Sequence, residues 1–452
     1  MHRRRWLQLG GLTALGLTAA DLSRLRAADS APARSCVFVF LFGGPSHIDL
    51  WDMKPNAPLE IRGEFRSIAT RTPGIELCEH LPKLAQQTDK LCLLRSMTHH
   101  MNVHGPACSE IYSGREYFGP PVTDQASPED WPSLASIATR YGRSRAGLPP
   151  SVVLPWYTQF VGQDRRIAGQ TGGRMGEHWN PFLIQGDPSA DGFEIQGVNP
   201  QPDLSSPRLR RRRELQSRLT PDTHVQLPEQ QQRVLQSNAD AAWALVDAVQ
   251  QRNAFALSEE RPDTRQRYGP TKFGQSLLLA RRLVEAGVSL ITVNWDDDTR
   301  FDKVSPHWDT HHQNFAKLQD GLCPVFDQGF AAFLADLHER SLLDSTLVIA
   351  LGEFGRSPRI GTITQNNMTE KTGRDHWPHA FTALVAGGGV RGGQIYGATS
   401  ATGGFVADRP VSPADLTATI LTHLGMDPAK VYEDRFQQIP RQLSEGRAVA
   451  LG

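Results

Sequence analysis

Four clusters in this sequence concentrate histidine and carboxylate residues, the side chains that bind divalent metals and transfer protons. They are GGPSHIDLWD (43–52), MTHHMNVHG (97–105), HWDTHHQNF (307–315), and GEFGR (352–356) taken together with GRDHWPH (373–379). Imidazoles and carboxylates that converge from separate segments are the ligands that a hard-to-borderline divalent ion needs. The sequence therefore predicts a metal site, with the candidate ligands His47, Asp49, Asp309, His311, Glu353, Asp375 and His376.

Two arginines in these clusters could act on the substrate of such a site. Arg356 and Arg374 carry guanidinium groups, which match the oxygens of sulfate and phosphate bidentately. We expect Arg356 to steady charge during a reaction, and Arg374 to bind substrate together with Ser46. A Ser-His-Asp triad from Ser46 can be drawn, but nothing fixes its geometry. The chain has no GxSxG, HExxH or P-loop motif.

Several candidates have a structural alternative. His47 follows a Gly-Pro turn and can instead hydrogen-bond the turn backbone. Asp309 precedes a helical pattern and can act as its N-cap. Glu353 leaves a buried strand, where a carboxylate is costly unless it binds a cation or pairs with a neighbour such as Arg356.

The elements that position these clusters alternate between strand-like and helix-like patterns. Continuous apolar runs, typical of buried strands, occur at 36–42, 91–97, 151–155, 288–295, 346–352 and 381–389. Helical patterns occur at 274–286, 314–340 and 413–424. This alternation predicts an α/β fold with a mainly parallel central sheet and helices on both faces. In such sheets, sites lie beyond the carboxyl ends of the strands, where several of the clusters fall.

The region 119–270 has a different composition, rich in Pro, Gly, Asp and Gln. It contains the basic run RLRRRRELQSRL (208–219) and a long polar helical pattern from about 228 to 256. We interpret the arginines as a solvated helix face rather than a docking patch, because acidic residues nearby balance them. The region is predicted to form an insertion or cap over the sheet.

The bulk composition limits the possible partners. Lys plus Arg and Asp plus Glu each number 48 among 452 residues, so no net field favours nucleic acid. Residues 1–28 resemble a twin-arginine-like export signal, with Arg3, Arg4 and Arg5 ahead of a short apolar stretch. We therefore expect a periplasmic or extracellular protein, exported by the twin-arginine route, with no stable membrane span once the signal is removed.

The five cysteines have no CxxC spacing, which argues against a thiolate zinc site. A bridge between Cys78 and Cys92 fits the sequence. An odd count leaves at least one thiol unpaired in the monomer.

Longer stretches carry a resemblance that covers nearly all of the chain after the signal. FGGPSHIDLWDMKPNAP, FGQSLLLARRLVEAGV, WDTHHQNF, TLVIALGEFGRSPRI, GRDHWPHAF and DRPVSPADLTATILTHLGMDP resemble the secreted family known as domain of unknown function 1501. That family is similar to sulfatases within the alkaline phosphatase superfamily. The resemblance implies a single sulfatase-like α/β domain over residues 36–450, with 119–270 as its cap or insertion.

The superfamily pattern also implies roles for individual residues. Its members usually bind one or two divalent metals and hydrolyse phosphate or sulfate esters. In TLVIALGEFG, Glu353 stands at an aspartate ligand and Phe354 at a histidine ligand. His376 matches a later histidine ligand, and Asp309 with His311 matches the Asp-His pair of the other metal.

The nucleophile motif of sulfatases aligns with HGPACSEIYSGR, which puts His104 at the nucleophile. An imidazole cannot become a formylglycine or act as a serine, so the usual covalent mechanism does not carry over. Gly43 or Gly44 also replaces the aspartate that normally ends the first strand, and Phe354 removes one ligand.

These observations lead to two alternative functions. The first is hydrolysis of sulfate or phosphate esters by a metal-bound water, with His104 and Arg356 as catalytic residues and zinc, calcium or manganese as the metal. Its substrate would be a sulfated or phosphorylated polymer or small molecule. The second is a non-catalytic metal-binding or interaction protein that keeps the scaffold.

Overall fold

An eight-stranded sheet runs through the centre of the protein. The computed structural model describes residues 34–119, 126–144, 147–160, 166–195, 208, 211–215, 239–240, 242–243, 254–302, 304–364 and 372–452. In spatial order the sheet consists of Gln394–Tyr396 (β12), Leu91–Met97 (β4), Phe381–Ala386 (β11), Thr346–Leu351 (β8), Ser35–Phe40 (β1), Leu290–Asn294 (β7), Ser151–Leu154 (β5) and Phe182–Leu183 (β6).

The sheet is mostly parallel, as the sequence predicts. β1 pairs in parallel with β7 and β8, and β5 pairs in parallel with β6 and β7. β11 differs, because it runs antiparallel to both of its neighbours, β4 and β8. As a result, the carboxyl ends of β1, β4, β7 and β8 share an edge with the amino end of β11.

Short strand pairs lie outside this sheet. They are Ser67–Ala69 (β2) with Glu76–Cys78 (β3), Gly355–Arg356 (β9) with His376–Trp377 (β10), Ala398–Thr399 (β13) with Val406–Asp408 (β14), and Val431–Glu433 (β15) with Pro440–Gln442 (β16). The pairing of β9 with β10 connects two of the chemically rich sequence clusters directly.

Helices cover both faces of the sheet. They are His47–Leu50 (α1), Leu59–Arg62 (α2), Pro82–Ala85 (α3), His104–Ser113 (α4), Leu134–Tyr141 (α5), Pro262–Tyr268 (α6), Lys272–Ala286 (α7), Asn314–Lys317 (α8), Cys323–Glu339 (α9) and Pro413–His423 (α10). Successive β1 residues point to opposite faces: Val37 and Val39 belong to the core with α7 and α9, and Phe38 and Phe40 to the core with α4, α5 and α10. The predicted coverage of both faces is confirmed.

The helix predicted at 314–340 is interrupted. α8 passes through a wider, π-type turn at Leu318–Leu322 before α9 begins. Pro324 explains the change of pitch, because it has no N–H to donate to the carbonyl four residues earlier. The other two helical patterns match α7 and α10, whose first turns are capped by Thr271 and Ser412.

The region 119–270, predicted to be an insertion or cap, is described in part. α5, β5 and β6 lie within this range, and β5 pairs with β7 in the main sheet. β5 matches the strand predicted from the apolar run at 151–155, so this stretch belongs to the sheet. The export segment 1–28 lies outside the described residues, as does most of the helical pattern at 228–256.

Two further features concern the cysteines and the helices. All five cysteines are buried free thiols, so the expected Cys78–Cys92 bridge is wrong. No helix within the described ranges is long and apolar enough to cross a bilayer.

Candidate metal centre

Four segments meet at one edge of the sheet and form the candidate site. Glu353 follows β8, and the loop after β7 supplies Asp309 and His311. His104 is the first residue of α4, which follows β4. His376 lies in β10, ahead of β11, and it reaches the same edge because β11 runs antiparallel. The strand topology thus explains why GRDHWPH, which precedes a strand, meets clusters that follow strands.

Asp309 is the centre of the cluster. Its Oδ1 lies 3.1 Å from Nε2 of His311 and 3.1 Å from Nε2 of His376. Its Oδ2 lies 3.1 Å from Nε2 of His104. Nη2 of Arg356 donates to Oδ1 at 2.5 Å. One buried carboxylate therefore contacts three imidazoles and a guanidinium.

The ring of His376 is oriented by its other nitrogen. The Nδ1–H of His376 donates to the carbonyl of Asn102 at 2.7 Å, which leaves a lone pair on Nε2. That Nε2 lies 2.9 Å from Nε2 of His311. Burial, and then the positive charge of His104, lowers the pKa of His376 to about 3, so the ring is neutral.

His311 has a carboxylate behind it. Its Nδ1 lies 3.4 Å from Oδ1 of Asp375. Asp375 is held in turn by the backbone N–H and the hydroxyl of Thr364, and by the backbone N–H of His376 at 2.8 Å. A carboxylate or carbonyl behind each histidine is the arrangement that orients metal-binding imidazoles in proteins.

These contacts fit a bound cation. Nε2 of His311, Nε2 of His376 and Oδ1 of Asp309 all lie within 3.1 Å of one another, and all three atoms can carry lone pairs. Such atoms repel each other unless a proton or a metal ion lies between them. Two imidazoles and one carboxylate suit zinc or another first-row ion better than calcium, which prefers oxygen ligands.

His104 bridges two carboxylates. Its Nδ1 contacts Oε1 of Glu353 at 2.5 Å, and its Nε2 contacts Asp309. Burial alone would lower the pKa of His104, but Asp309 and Glu353 raise it to about 9. The ring is therefore a cation that donates from both nitrogens. Glu353, predicted as a ligand, lies behind this ring, where the backbone N–H of Gly43 donates to both of its oxygens at 3.0 and 3.1 Å.

Arg356 lies beneath Asp309 rather than beside a substrate. It is fully buried, and it donates to the carbonyls of Gly44 at 2.9 Å, of Arg374 at 3.1 Å and of Gly43. The expected contact with substrate therefore does not fit the structure, because this guanidinium is enclosed by backbone and Asp309. Burial alone would raise the pKa of Asp309, but the charges of His104 and Arg356 hold it well below its ordinary value.

Asp49, Arg374 and Ser46 form a separate buried cluster. Nε and Nη2 of Arg374 each donate to one oxygen of Asp49 at 2.7 Å, and the Ser46 hydroxyl donates to Asp49 at 2.6 Å. All three residues are fully buried. The expectations of substrate binding by Arg374 and Ser46, and of ligation by Asp49, do not match this placement, because each group is satisfied inside the protein.

His47 also lies apart from the convergent ligands. Its Nε2 lies 2.8 Å from the carbonyl of Gly403, and the residue is fully buried. Burial lowers the pKa of its imidazole. From the sequence, the alternative to metal ligation for His47 was a hydrogen bond to the turn backbone. The ring does contact a backbone carbonyl, but Gly403 lies far along the chain from that turn. Among the described residues, two groups of potential ligand atoms converge, and neither includes His47, Asp49 or Glu353. The groups are His104 with Asp309 and His376, and His311 with Asp375 and His376.

Three phenylalanines surround the cluster. The rings of Phe42, Phe354 and Phe160 lie 5.3, 5.1 and 6.0 Å from the ring of His104, between centroids. Asp309 and His376 are only 6% and 5% exposed, so little of either side chain faces solvent. Sequence reasoning found neither this aromatic wall nor the Asn102 carbonyl, since apolar residues and backbone groups carry no motif.

Gly43 allows the loop of Asp309 to approach β1, which gives a testable prediction. Gly43 has φ +111°, and a Cβ there would lie 2.3 Å from the backbone nitrogen of Asp309. We expect Gly43→Ala to weaken zinc binding by at least ~10-fold without removing a ligand, since displaced support costs ~10–100-fold. Titration of apo-protein with zinc checks this.

Gly74→Ala is the matched control. Gly74 also has a positive φ, +84°, but a Cβ there would have no atom within 4 Å, so only backbone strain is added. Equal zinc affinities for the two variants would show that the close approach at Gly43 does not matter.

Comparisons with known proteins give one family match and several distant structural similarities. The profile of a family described as "Protein of unknown function (DUF1501)" matches residues 33–450. No curated protein matches the sequence.

Solved structures with a similar chain path include the following three. An alkaline phosphatase superfamily protein from Vibrio parahaemolyticus has 10% identity and a TM-score of 0.41, over 88% of this chain and 67% of that one. The PsFucS1 sulfatase from Pseudoalteromonas sp. has 10% identity and a TM-score of 0.36, over 94% and 76%. The phosphonate monoester hydrolase of Silicibacter pomeroyi has 12% identity and a TM-score of 0.37, over 92% and 75%.

Proposed function

Because this chain belongs to DUF1501, a family of proteins of unknown function, we propose its function from the site itself: metal-dependent hydrolysis of sulfate or phosphate esters. One observation carries the proposal. Nε2 of His311, Nε2 of His376 and Oδ1 of Asp309 converge within 3.1 Å, each held from behind by another group. We assign these three residues as ligands of one divalent ion, with zinc or manganese the best match to the donor set.

The residues around the ligands have separate roles in orienting them and balancing charge. A divalent ion at this position would supply a Lewis acid and activate water. Asn102 and Asp375 hold the two imidazoles in orientation, and Arg356 balances the charge of Asp309. His104 places a positive charge, with a proton on Nε2, beside the ligands; it can attract an anionic ester and protonate the departing oxygen.

The substrate and its location follow from the same proposal. Sulfate and phosphate esters are anionic, and His104 is the accessible cation of the cluster, with a side chain 11% exposed. The ester could belong to a polymer or to a small molecule. We also propose export to the periplasm or beyond, on the strength of the twin-arginine-like residues 1–28.

A second candidate is a metal-binding protein without catalysis. The engagement of both nitrogens of His104 by carboxylates favours it, because this ring has no lone pair with which to act as a base or nucleophile. Under this alternative the metal would be structural, or part of a binding surface.

Turnover of matched esters by metal-loaded protein tests the proposed function. We expect hydrolysis of 4-nitrophenyl sulfate or 4-nitrophenyl phosphate, and slower hydrolysis of the phenyl esters. His104→Gln removes the proton donor, so it should lower kcat for the phenyl ester by about 10²–10⁴-fold. The loss should be smaller for the 4-nitrophenyl ester, whose leaving group needs no proton.

The control is His100→Gln, which changes an exposed histidine in the same sequence cluster and should leave kcat unchanged. Failure of the metal-loaded wild type to hydrolyse either ester class would favour the non-catalytic alternative. An equal loss of kcat for the phenyl and 4-nitrophenyl esters would show that His104 is not the general acid.

A further inference from the structure

A cleft of about 590 Å³ is lined in part by His307. In the chain, His307 stands two residues before the ligand Asp309. Its walls come from residues 187–189, the start of α7, the loop at 295–299 and the stretch 317–325. This volume falls within the range of small-molecule binding pockets.

One aromatic ring connects the cleft to the metal centre. The Phe42 ring lies 5.3 Å from the ring of His104 and 5.9 Å from the ring of His307, between centroids. His307 itself lines the cleft. The cleft wall and the metal centre are therefore neighbours across one buried aromatic ring.

The charges that line the cleft are mainly negative. Asp187, Asp296, Asp297, Asp298 and Asp320 line it, against Lys272 and Lys317. Both lysines are already neutralised: Lys272 donates to Asp296 at 2.6 Å, and Lys317 donates to Asp302 at 2.6 Å. An anionic group in the cleft would therefore meet carboxylates without an available counter-charge.

His307 is held rigidly and keeps one nitrogen for a ligand. Its Nδ1 bonds Asp297 at 3.0 Å, and its backbone N–H donates to the Thr299 hydroxyl at 2.7 Å. The residue is 5% exposed and has φ +54°, a conformation uncommon outside glycine. Among the described residues its Nε2 has no hydrogen-bond partner. An imidazole nitrogen without a partner, at the wall of a cleft lined by carboxylates, suits a hydroxyl or ammonium group.

We infer that this cleft binds the non-ester part of the substrate, a ring bearing hydroxyl or ammonium groups and no acid. This inference rests on the proposed function, because it assigns the anionic ester to the metal centre and the rest of the molecule to the cleft. It narrows the substrate class to esters whose charge is confined to the reacting group, so a densely sulfated polyanion is excluded.

Binding of three rings that differ in charge tests the inference independently of catalysis. Glucose, glucosamine and glucuronate are titrated into full-length protein with a chelator present, and binding is followed by NMR. We expect glucose and glucosamine to bind, and glucuronate to bind at least ~10-fold more weakly, because like charges then face each other.

Two variants locate the binding. His307→Asn keeps a donor for Asp297 and tolerates the positive φ, so it should lower affinity for the binding rings by about 5-fold, the loss of one hydrogen bond. Asp320→Lys should raise glucuronate affinity and lower glucosamine affinity. Asp344→Lys, at an exposed aspartate outside the cleft, should change neither.

The outcomes separate this inference from the proposed function. Glucuronate binding as tightly as the other rings, or no ring binding while nitrophenyl esters are hydrolysed, would overturn the cleft assignment alone. If the rings bind as expected but the protein has no esterase activity, the result would support the cleft assignment and rule out the proposed hydrolase function. Glucosamine alone binding would identify an amino group as the donor.

Discussion

Asp309→Asn is expected to abolish tight zinc binding and to destabilise the metal-free protein. The carboxylate contacts His104, His311, His376 and Arg356, so its charge supports the whole cluster. Loss of a ligand should weaken zinc binding by more than about 100-fold, since even changes behind a ligand cost 10–100-fold. Without this charge, the fully buried Arg356 loses its only carboxylate among the described residues, which should cost about 3–5 kcal/mol.

The two effects are measured separately. Zinc titration of apo-protein gives the affinity, and urea unfolding with a chelator gives the free energy of unfolding without metal. Asp344→Asn, at an exposed aspartate, provides the control and should change neither quantity. Wild-type zinc affinity in Asp309→Asn would remove Asp309 from the ligand set.

Asp49→Asn should have a large effect on stability and none on the metal. Asp49 is fully buried and accepts two hydrogen bonds from Arg374, one from Ser46 and one from Asn314 at 2.9 Å. The new amide leaves the Arg374 charge uncompensated and directs N–H groups at its donors. We expect the free energy of unfolding to fall by about 3–5 kcal/mol, with zinc stoichiometry unchanged.

Ser46→Ala gives a graded comparison for the same cluster. It removes one hydrogen bond to a charged group and should cost about 1.5–3 kcal/mol. Urea unfolding measures both variants, and elemental analysis measures their metal. Loss of metal in Asp49→Asn at wild-type stability would make Asp49 a ligand after all, as its sequence context first suggested.

The central sheet could be predicted from the sequence because buried strands are long apolar runs. CVFVF and TLVIAL became β1 and β8, both completely buried. The direction of β11 could not be predicted, because an apolar run does not indicate whether its strand is parallel or antiparallel to its neighbours. That reversal matters, since it brings His376 to the edge where Glu353 and His104 lie.

Part of the site was also accessible. Asp309 and His311 come from one chemically distinctive cluster and His376 from another, and the fold brings them together. In the sequence, Asp49 looked as suitable a metal ligand as Asp309. In the structure it pairs with Arg374 inside the protein. Residue type cannot tell a ligand from a buried ion pair, because both satisfy a carboxylate with positive charge. Only the three-dimensional partners distinguish them.

The most direct test of the central claim is the metal content of the purified protein. Protein prepared without chelators or a histidine tag should contain about one zinc or manganese ion per chain, held by two imidazoles and one carboxylate. His376→Ala should lose that ion and remain folded. Wild-type protein that is folded, free of metal and unable to take up added zinc or manganese would contradict the claim.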